Sequence, residues 1–351
     1  MNESGKNVIG FFRHQESGCY WYRTKHPMEM LLANGVLVKQ LDINTDIDFY
    51  DRLRSVQLYG IYPFSMYPVL KTMKEDGIKI IYDFDDAMEL IEKTSPFYNV
   101  VQRDKLSAVE ILKLVDHITV NSLVMAEYAR QRTDKPVTVI PNTYDPKEWI
   151  FPRPKRDGIR IGFCGASPHI TNLIKVLPAI SNLQKKYDIR FLIMGFGRES
   201  FQEWVKIYKS NTSTEGHKAV DDFVEALRDI KFEWVPFVEY YNYPSTLINM
   251  SLDIGLCPLE DTPFNRGRSS SKPMEYTLAG ALAVASDLEP FRDDKSSILI
   301  QNNNWEEAIE FFINNRDKLD SQREEHLKWL QENRKVDTQL KILKDIYDIH
   351  L

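Results

Sequence analysis

At 351 residues the chain is long enough for two domains of ordinary size or one large one, because single cores stop growing at about 250–300 residues. A composition of 43% hydrophobic and 27% charged residues excludes a disordered chain, and 15 Gly and 17 Pro spread without a period exclude a collagen-like one. With 45 Lys+Arg against 51 Asp+Glu the formal charge is −6, which argues against a protein built mainly to coat nucleic acid but leaves local basic patches open.

Cys19, Cys164 and Cys257 are too few and too scattered for a disulfide framework and form no Cys-x-x-Cys pair for zinc, which points to a reducing compartment. The longest uncharged run, residues 55–70, falls short of the ~18 apolar residues of a spanning helix and is broken by Gly60, Pro63 and Pro68. The start, MNESGKNVIG, is polar and then only briefly apolar, unlike a signal peptide. The expectation is a cytoplasmic protein without a transmembrane segment, with peripheral attachment to a membrane left open.

In chain order, short apolar runs at 8–12, 36–41, 55–59, 79–84, 117–121 and 137–141 are followed by a second series at 159–165, 190–195, 232–237, 253–258, 281–286 and 297–300. Runs that are apolar on both faces and separated by helix-like stretches predict parallel strands in βαβ units. Between the series, residues 147–160 (KEWIFPRPKRDGIR) carry two Pro, one Gly and dense charge, the marks of a connector. The boundary is placed near residue 155, giving units at 1–154 and 155–332. The stretch from 305 reads as helices, with Asn304 capping WEEAIEFFINN and Ser321 capping QREEHLKWLQEN, and a final helix in 333–351. Two similarly built halves predict an α/β protein of paired Rossmann-like domains facing a cleft.

The densest chemistry lies in 253–286. A buried strand ends at Pro258, a loop carries Asn265, Arg266, Arg268, Ser269, Ser270, Ser271 and Lys272, and a helix then holds Glu275 before Gly280. A loop entering a helix offers free N–H groups and the positive end of the helix dipole, here supplemented by cations, which suits a phosphate-bearing ligand. Phosphate repels Glu275. One turn into the helix, its carboxylate is suited instead to accepting hydrogen bonds from a ribose diol, each worth about 1.5–3 kcal/mol.

The pattern P-L-x-x-x-P-F-N-x-x-R-S-x-x-K-x-x-E-Y-x-x-x-G, Pro258 to Gly280, resembles the donor-binding segment of GT-B glycosyltransferases of the family 4 type (glycosyl transferases group 1). The resemblance is strongest to the subgroup with a Lys/Arg-Ser-x-x-Lys-x-x-Glu-Tyr signature. It implies a GT-B fold with a C-terminal helix crossing back onto the first domain. The implied activity is that of a hexosyl- or pentosyltransferase, retaining and independent of metal, with a nucleotide-diphosphate sugar as co-substrate and no further cofactor. Arg268 and Lys272 would stabilise the leaving diphosphate, and Asn265, the three serines and Glu275 would hold the donor.

Other segments extend the resemblance. Gly165 to His169 is similar to the family's G-x-x-x-H element beside the diphosphate, and 195–198 to its G-x-G turn, which makes Gly165, His169 and Arg198 donor-site candidates. Residues 235–247 look like the stretch whose backbone reads the nucleotide base. In the first half the loop containing Gly18, together with Arg23, would lie over the cleft, and Asp83, Asp85 and Asp86 end a strand. Many relatives place a His where this chain has Asp85, so Asp85 is expected to orient the acceptor, with Gly18, Arg23, Asp83 and Asp86 around it. A D-x-D is also the metal motif of the unrelated GT-A enzymes, but these need no Arg/Lys-rich phosphate loop in a second Rossmann domain. The element I-P-N-x-x-D at 140–145 resembles the one before the family's hinge.

One departure stands out: eight positions before Glu275 the wider family has a second glutamate that contacts the donor sugar, and this chain has Gly267. Asp261 and Asn265 are possible substitutes. The acceptor is expected to be a glycan, a lipid-linked or another hydroxyl. Two other readings stay open. A non-catalytic relative that binds nucleotide sugar or glycan is motivated by Gly267. Transfer to a hydroxymethylated DNA base, as in phage DNA glycosylation, is motivated by the connector, where five basic residues face Glu148 and Asp157, a local +3.

Overall fold

The structure, a computed structural model, describes residues 7–12, 18–42, 51–60 and 66–349. All twelve expected runs are strands: β1 Val8–Phe12, β2 Val38–Leu41, β3 Leu53–Tyr59, β4 Lys79–Phe84, β5 His117–Val120, β6 Val137–Val139, β7 Ile159–Cys164, β8 Ile189–Met194, β9 Phe232–Val235, β10 Ile254–Cys257, β11 Leu282–Ser286 and β12 Ile298–Ile300. They form two six-stranded sheets, ordered β2-β1-β3-β4-β5-β6 and β12-β11-β10-β7-β8-β9. Every pairing within them is parallel.

Helices cover both faces of each sheet, which is why the strands are apolar throughout rather than alternating. In β8, Phe191 and Ile193 join one core cluster while Leu192 and Met194 join the cluster on the opposite face. The order of strands reverses between β1 and β3 in the first sheet and between β7 and β10 in the second. Open α/β sheets bind ligands beyond the carboxyl ends of the strands at such reversals. Residues 13–17, which follow β1, lie outside the described residues.

Gly255 in β10 sits directly under Tyr276 of the helix Ser271–Leu278: a Cβ there would lie 2.2 Å from the ring. The Tyr276 hydroxyl accepts a hydrogen bond from the Cys164 N–H at 2.6 Å, so the same side chain ties that helix to the end of β7.

After β12 come the helices Trp305–Asn314, Arg316–Asn333 and Leu340–Ile346. Asn304 occupies the first cap position without a side-chain cap bond, its amide donating instead to Glu307 at 3.3 Å. Ser321 caps nothing. It lies inside the second helix, which starts after Asn315 because no Gly or Pro interrupts the run 316–333. The chain then returns to the first sheet: Tyr144 bridges Lys335, and Leu343, Ile346 and Tyr347 pack with Ile9, Phe11, Leu31 and Ile81. Tyr347 donates to Gln57, whose amide donates to the Arg23 carbonyl at 2.9 Å. Among the described residues no helix is long and apolar enough to cross a membrane.

Overpacking predicts that Gly255→Ala lowers the unfolding free energy by about 1–3 kcal/mol in urea titration. An unchanged midpoint would show that Tyr276 is not held where the structure has it.

Candidate functional site

Three basic side chains converge beyond the carboxyl end of β7. His169 ends the short 3-10 turn Ser167–His169, Lys272 lies in the first turn of Ser271–Leu278, and Arg268 precedes that helix. The Arg268 Nη2 is 2.8 Å from the His169 Nε2. Arg268 also pairs with Asp86 across the cleft at 3.1 Å. Gly165 makes room for the cluster, since a Cβ there would fall 3.1 Å from the Lys272 Nζ and 2.9 Å from the Phe163 ring. Gly195, at φ +98°, approaches so closely that a Cβ would meet the Gly165 carbonyl at 2.9 Å, and only glycine suits that backbone.

Lys272 makes no hydrogen bond or ion pair among the described residues; its ammonium lies 5.8 Å from the centre of the Phe163 ring. Burial pushes this lysine down from its ordinary value, Glu275 opposing and Arg268 adding to the shift. Burial likewise lowers the His169 imidazole well below its ordinary value, with Lys272 and Arg268 acting the same way, so the ring is neutral near pH 7. A half-buried ammonium with no anionic partner among the described residues, beside an arginine and a helix N-terminus, is suited to holding an anion.

The serines of the loop serve other contacts. Ser269 bonds Ser271, Ser271 accepts from Asn142 at 2.8 Å, and Ser270 accepts from Arg334 at 3.2 Å. Asn265 is buried, its amide donating to the Asn172 Oδ1 and the Glu260 carbonyl, both at 3.1 Å. Arg198 stands apart from the cluster, exposed and paired with Glu239. Asp261 is turned to Arg266 at 2.6 Å.

Glu275 is buried with both oxygens engaged: Tyr22 donates at 2.7 Å and Tyr243 at 2.8 Å. Burial raises its carboxyl, against Lys272 and these two hydroxyls. Tyr22 belongs to the π-helical segment Trp21–Lys25, where Trp21 stacks on Tyr240 at 4.6 Å. A Cβ placed at Gly18 would lie 4.0 Å from the Tyr240 ring. Tyr240 and Tyr243 of 235–247 therefore pack against Trp21 and Tyr22 of the first half, a core role that stands beside the expected base recognition by that stretch's backbone.

On the acidic side the three aspartates divide. Asp83 is held by Arg23 at 2.9 and 2.6 Å and also accepts from Thr119, with both members of the pair almost fully buried. Arg23 further reaches Asn142 at 3.2 Å. The structure thus turns Arg23 and Asp83 into the first domain rather than toward an acceptor. Asp85, buried, accepts from Tyr59 at 3.0 Å, and Asp86 faces Arg268. Gly267 is packed by Met125 of the helix Leu123–Arg130, whose sulfur lies 2.7 Å from the place of a Cβ, so a glutamate there would displace the first domain's side chain.

Sequence reasoning missed Asn142, Asn172, Tyr243 and Arg334. Arg334 links the Asn142 carbonyl, Ser270 and Asp294, the last at 2.9 Å. For Asn172 a signal existed: it stands three residues after His169 at a helix start.

No family model matches the chain, and no curated protein matches its sequence. Solved structures do match. HepE of Anabaena with UDP-glucose superposes with a TM-score of 0.65 at 11% identity, covering 97% of this chain and 100% of that one. A glycosyltransferase of Rickettsia africae gives 0.64 at 12% identity, covering 97% and 98%. An alpha-glucosyltransferase solved with UDP and a 13-mer DNA containing an HMU base gives 0.64 at 13% identity, covering 98% and 100%. The chain has the GT-B fold of these glycosyltransferases.

Burial raises the Asp86 carboxyl from 3.8 to about 6, helped by Asp85 and opposed by Arg268 and Lys272. The folded protein therefore holds this proton more tightly than the unfolded chain, and its contribution to stability is present below 3.8 and lost as pH rises through about 6. Asp86→Asn is expected to gain melting temperature relative to wild type as pH rises between these values; a constant difference would contradict the assignment. Because Asp83 and Arg23 form a buried pair, Asp83→Asn alone is expected to destabilise by about 3–5 kcal/mol, read by urea unfolding, and a loss below 1 kcal/mol would remove the pair from the core.

Proposed function

We propose that the protein transfers a sugar from a nucleotide-diphosphate sugar to an acceptor hydroxyl, the second domain holding the donor and the first the acceptor. The observation that carries this is the half-buried Lys272 ammonium, which has no anionic partner among the described residues, beside Arg268 and His169 at the reversal point of the second sheet. In that place a diphosphate finds three N–H donors and a helix N-terminus. As the bond from the anomeric carbon to the diphosphate oxygen breaks, Lys272 and Arg268 neutralise the charge that develops on it, and the acceptor oxygen bonds the anomeric carbon while its proton passes to the departing diphosphate. Closure of the two halves excludes water that would compete with the acceptor.

The finer reading is a retaining, metal-independent hexosyl- or pentosyltransferase. Retention rests on the resemblance of 258–280 to the family 4 type. Metal independence is supported by Asp83, whose two oxygens face Arg23 and Thr119 and so are poorly placed for a D-x-D chelate. Asp85 and Asp86 are the carboxylates left to orient the acceptor. Glu275, held by Tyr22 and Tyr243, keeps lone pairs for a ribose diol.

For the acceptor, a glycan, a lipid-linked or another small hydroxyl is favoured over DNA. Arg153 donates to the Leu252 carbonyl at 2.7 Å and Arg160, buried, to the Met250 carbonyl at 2.7 Å, so two of the connector's five basic residues serve packing. The neighbour solved with HMU-containing DNA keeps a hydroxymethylated base in the acceptor panel.

The test supplies UDP-, GDP- and ADP-sugars with a chelator present and measures nucleotide release with candidate acceptors. Release with at least one donor is expected, and Lys272→Ala is expected to lower kcat/KM about 10²–10³-fold. Binding without turnover for any acceptor would favour the non-catalytic relative. No binding of any donor, with Lys272→Ala indistinguishable from wild type, would overturn the reading.

A further inference from the structure

We infer that Asn172 is a positioning residue that holds His169 as its Nε2–H tautomer and so aims a second N–H donor, next to Arg268, at one oxygen of the diphosphate. The inference rests on the proposed donor site and names a part of it that no motif contains. His169, Asn172 and Asn265 are 5%, 3% and 4% exposed, so their polar atoms must find partners within the protein or in a ligand.

The orientation of the Asn172 amide is determined twice. The Glu260 backbone N–H, which can only donate, lies 2.7 Å from the Asn172 Oδ1. The Asn265 Nδ2 lies 3.1 Å from the same oxygen, and that nitrogen is itself identified by the Glu260 carbonyl, which can only accept, at 3.1 Å. The atom of Asn172 that faces the His169 Nδ1 at 3.1 Å is therefore the amide nitrogen. It carries hydrogens and no available lone pair, so Nδ1 must accept. A neutral imidazole that accepts at Nδ1 carries its proton on Nε2.

The consequence appears on the other side of the ring. Nε2 lies 2.8 Å from the Arg268 Nη2, a nitrogen that always carries protons. Two donors thus point at one another, with Asp86 steadying the guanidinium at 3.1 Å. An oxygen carrying negative charge, accepting from both, resolves the conflict, and the unpaired Lys272 shows that the charge wanted here is negative. Without Asn172 the ring is free to place its proton on Nδ1 and accept from Arg268, and the second donor is lost.

Long-range proton–nitrogen NMR on protein labelled with ¹⁵N-histidine reads the tautomer directly, with His169 assigned by comparison with His169→Gln. Wild type is expected to show Nε2 protonated and Nδ1 bare. In Asn172→Asp, of nearly the same shape, the carboxylate accepts from Nδ1–H, so the tautomer is expected to invert. Affinity for the nucleoside diphosphate that wild type binds, UDP, GDP or ADP, should fall about tenfold or more, while affinity for the matching nucleoside and the far-ultraviolet dichroism stay unchanged. A general structural role would weaken nucleoside and diphosphate together. Protonated Nδ1 in wild type overturns the inference, as does an Asn172→Asp protein that binds the diphosphate as well as wild type. Failure of wild type to bind any nucleoside diphosphate overturns the donor-site reading instead, and the two failures are distinguishable because the tautomer is read without ligand.

Discussion

The site depends on an imbalance of charge, two cations set against one carboxylate among the described residues. Lys272, Arg268 and the neutral His169 occupy one end of a short helix, and among the described residues the only carboxylate bonded to any of them is Asp86, from the opposite side of the cleft. Partial burial of the ammonium lowers the Lys272 value from its ordinary range, Glu275 opposing the shift. Such an arrangement suits an anionic ligand, and the diphosphate of the proposed donor has the right sign for the helix N-terminus.

The same region joins the two halves. Tyr22 reaches Glu275, Asn142 links Arg23 to Ser271, and Arg334 ties the Asn142 carbonyl to Ser270 and Asp294. The loop that carries the cations is therefore braced from the hinge, while its partner groups in the first domain sit on a π-helical turn and at the end of β4. Any movement of one half relative to the other must change the Tyr22–Glu275 and Asp86–Arg268 contacts together, so the proposed donor site and the relation of the two halves are linked.

The twelve strands were legible because each is buried on both faces, and such runs, broken by turn residues, resemble little else. The cationic cluster of the loop 265–272 was legible because its composition and the following helix point to the same chemistry, and the structure gathers Arg268 and Lys272 at that helix start beside His169. Which way a side chain faces was not legible. Arg23 and Asp83 look like cleft residues in a linear reading, yet the turn of the segment 21–25 and the pleat of β4 bring them to each other inside the first domain. Arg198, beside a glycine turn, is drawn to Glu239, forty-one residues away in sequence, which no local pattern announces. Ser321 misled because a good capping residue also sits comfortably on the exposed side of a helix that has already begun. Gly267 gains a reason only in three dimensions, where Met125 fills the space a glutamate would need.

The most direct measurement is a crystal structure of the protein with a bound nucleoside diphosphate. The account predicts phosphate oxygens within hydrogen-bonding distance of the Lys272 Nζ, an Arg268 guanidinium nitrogen and the His169 Nε2, at the N-terminus of Ser271–Leu278. A diphosphate bound elsewhere, with the Lys272 ammonium still unpaired, would contradict it.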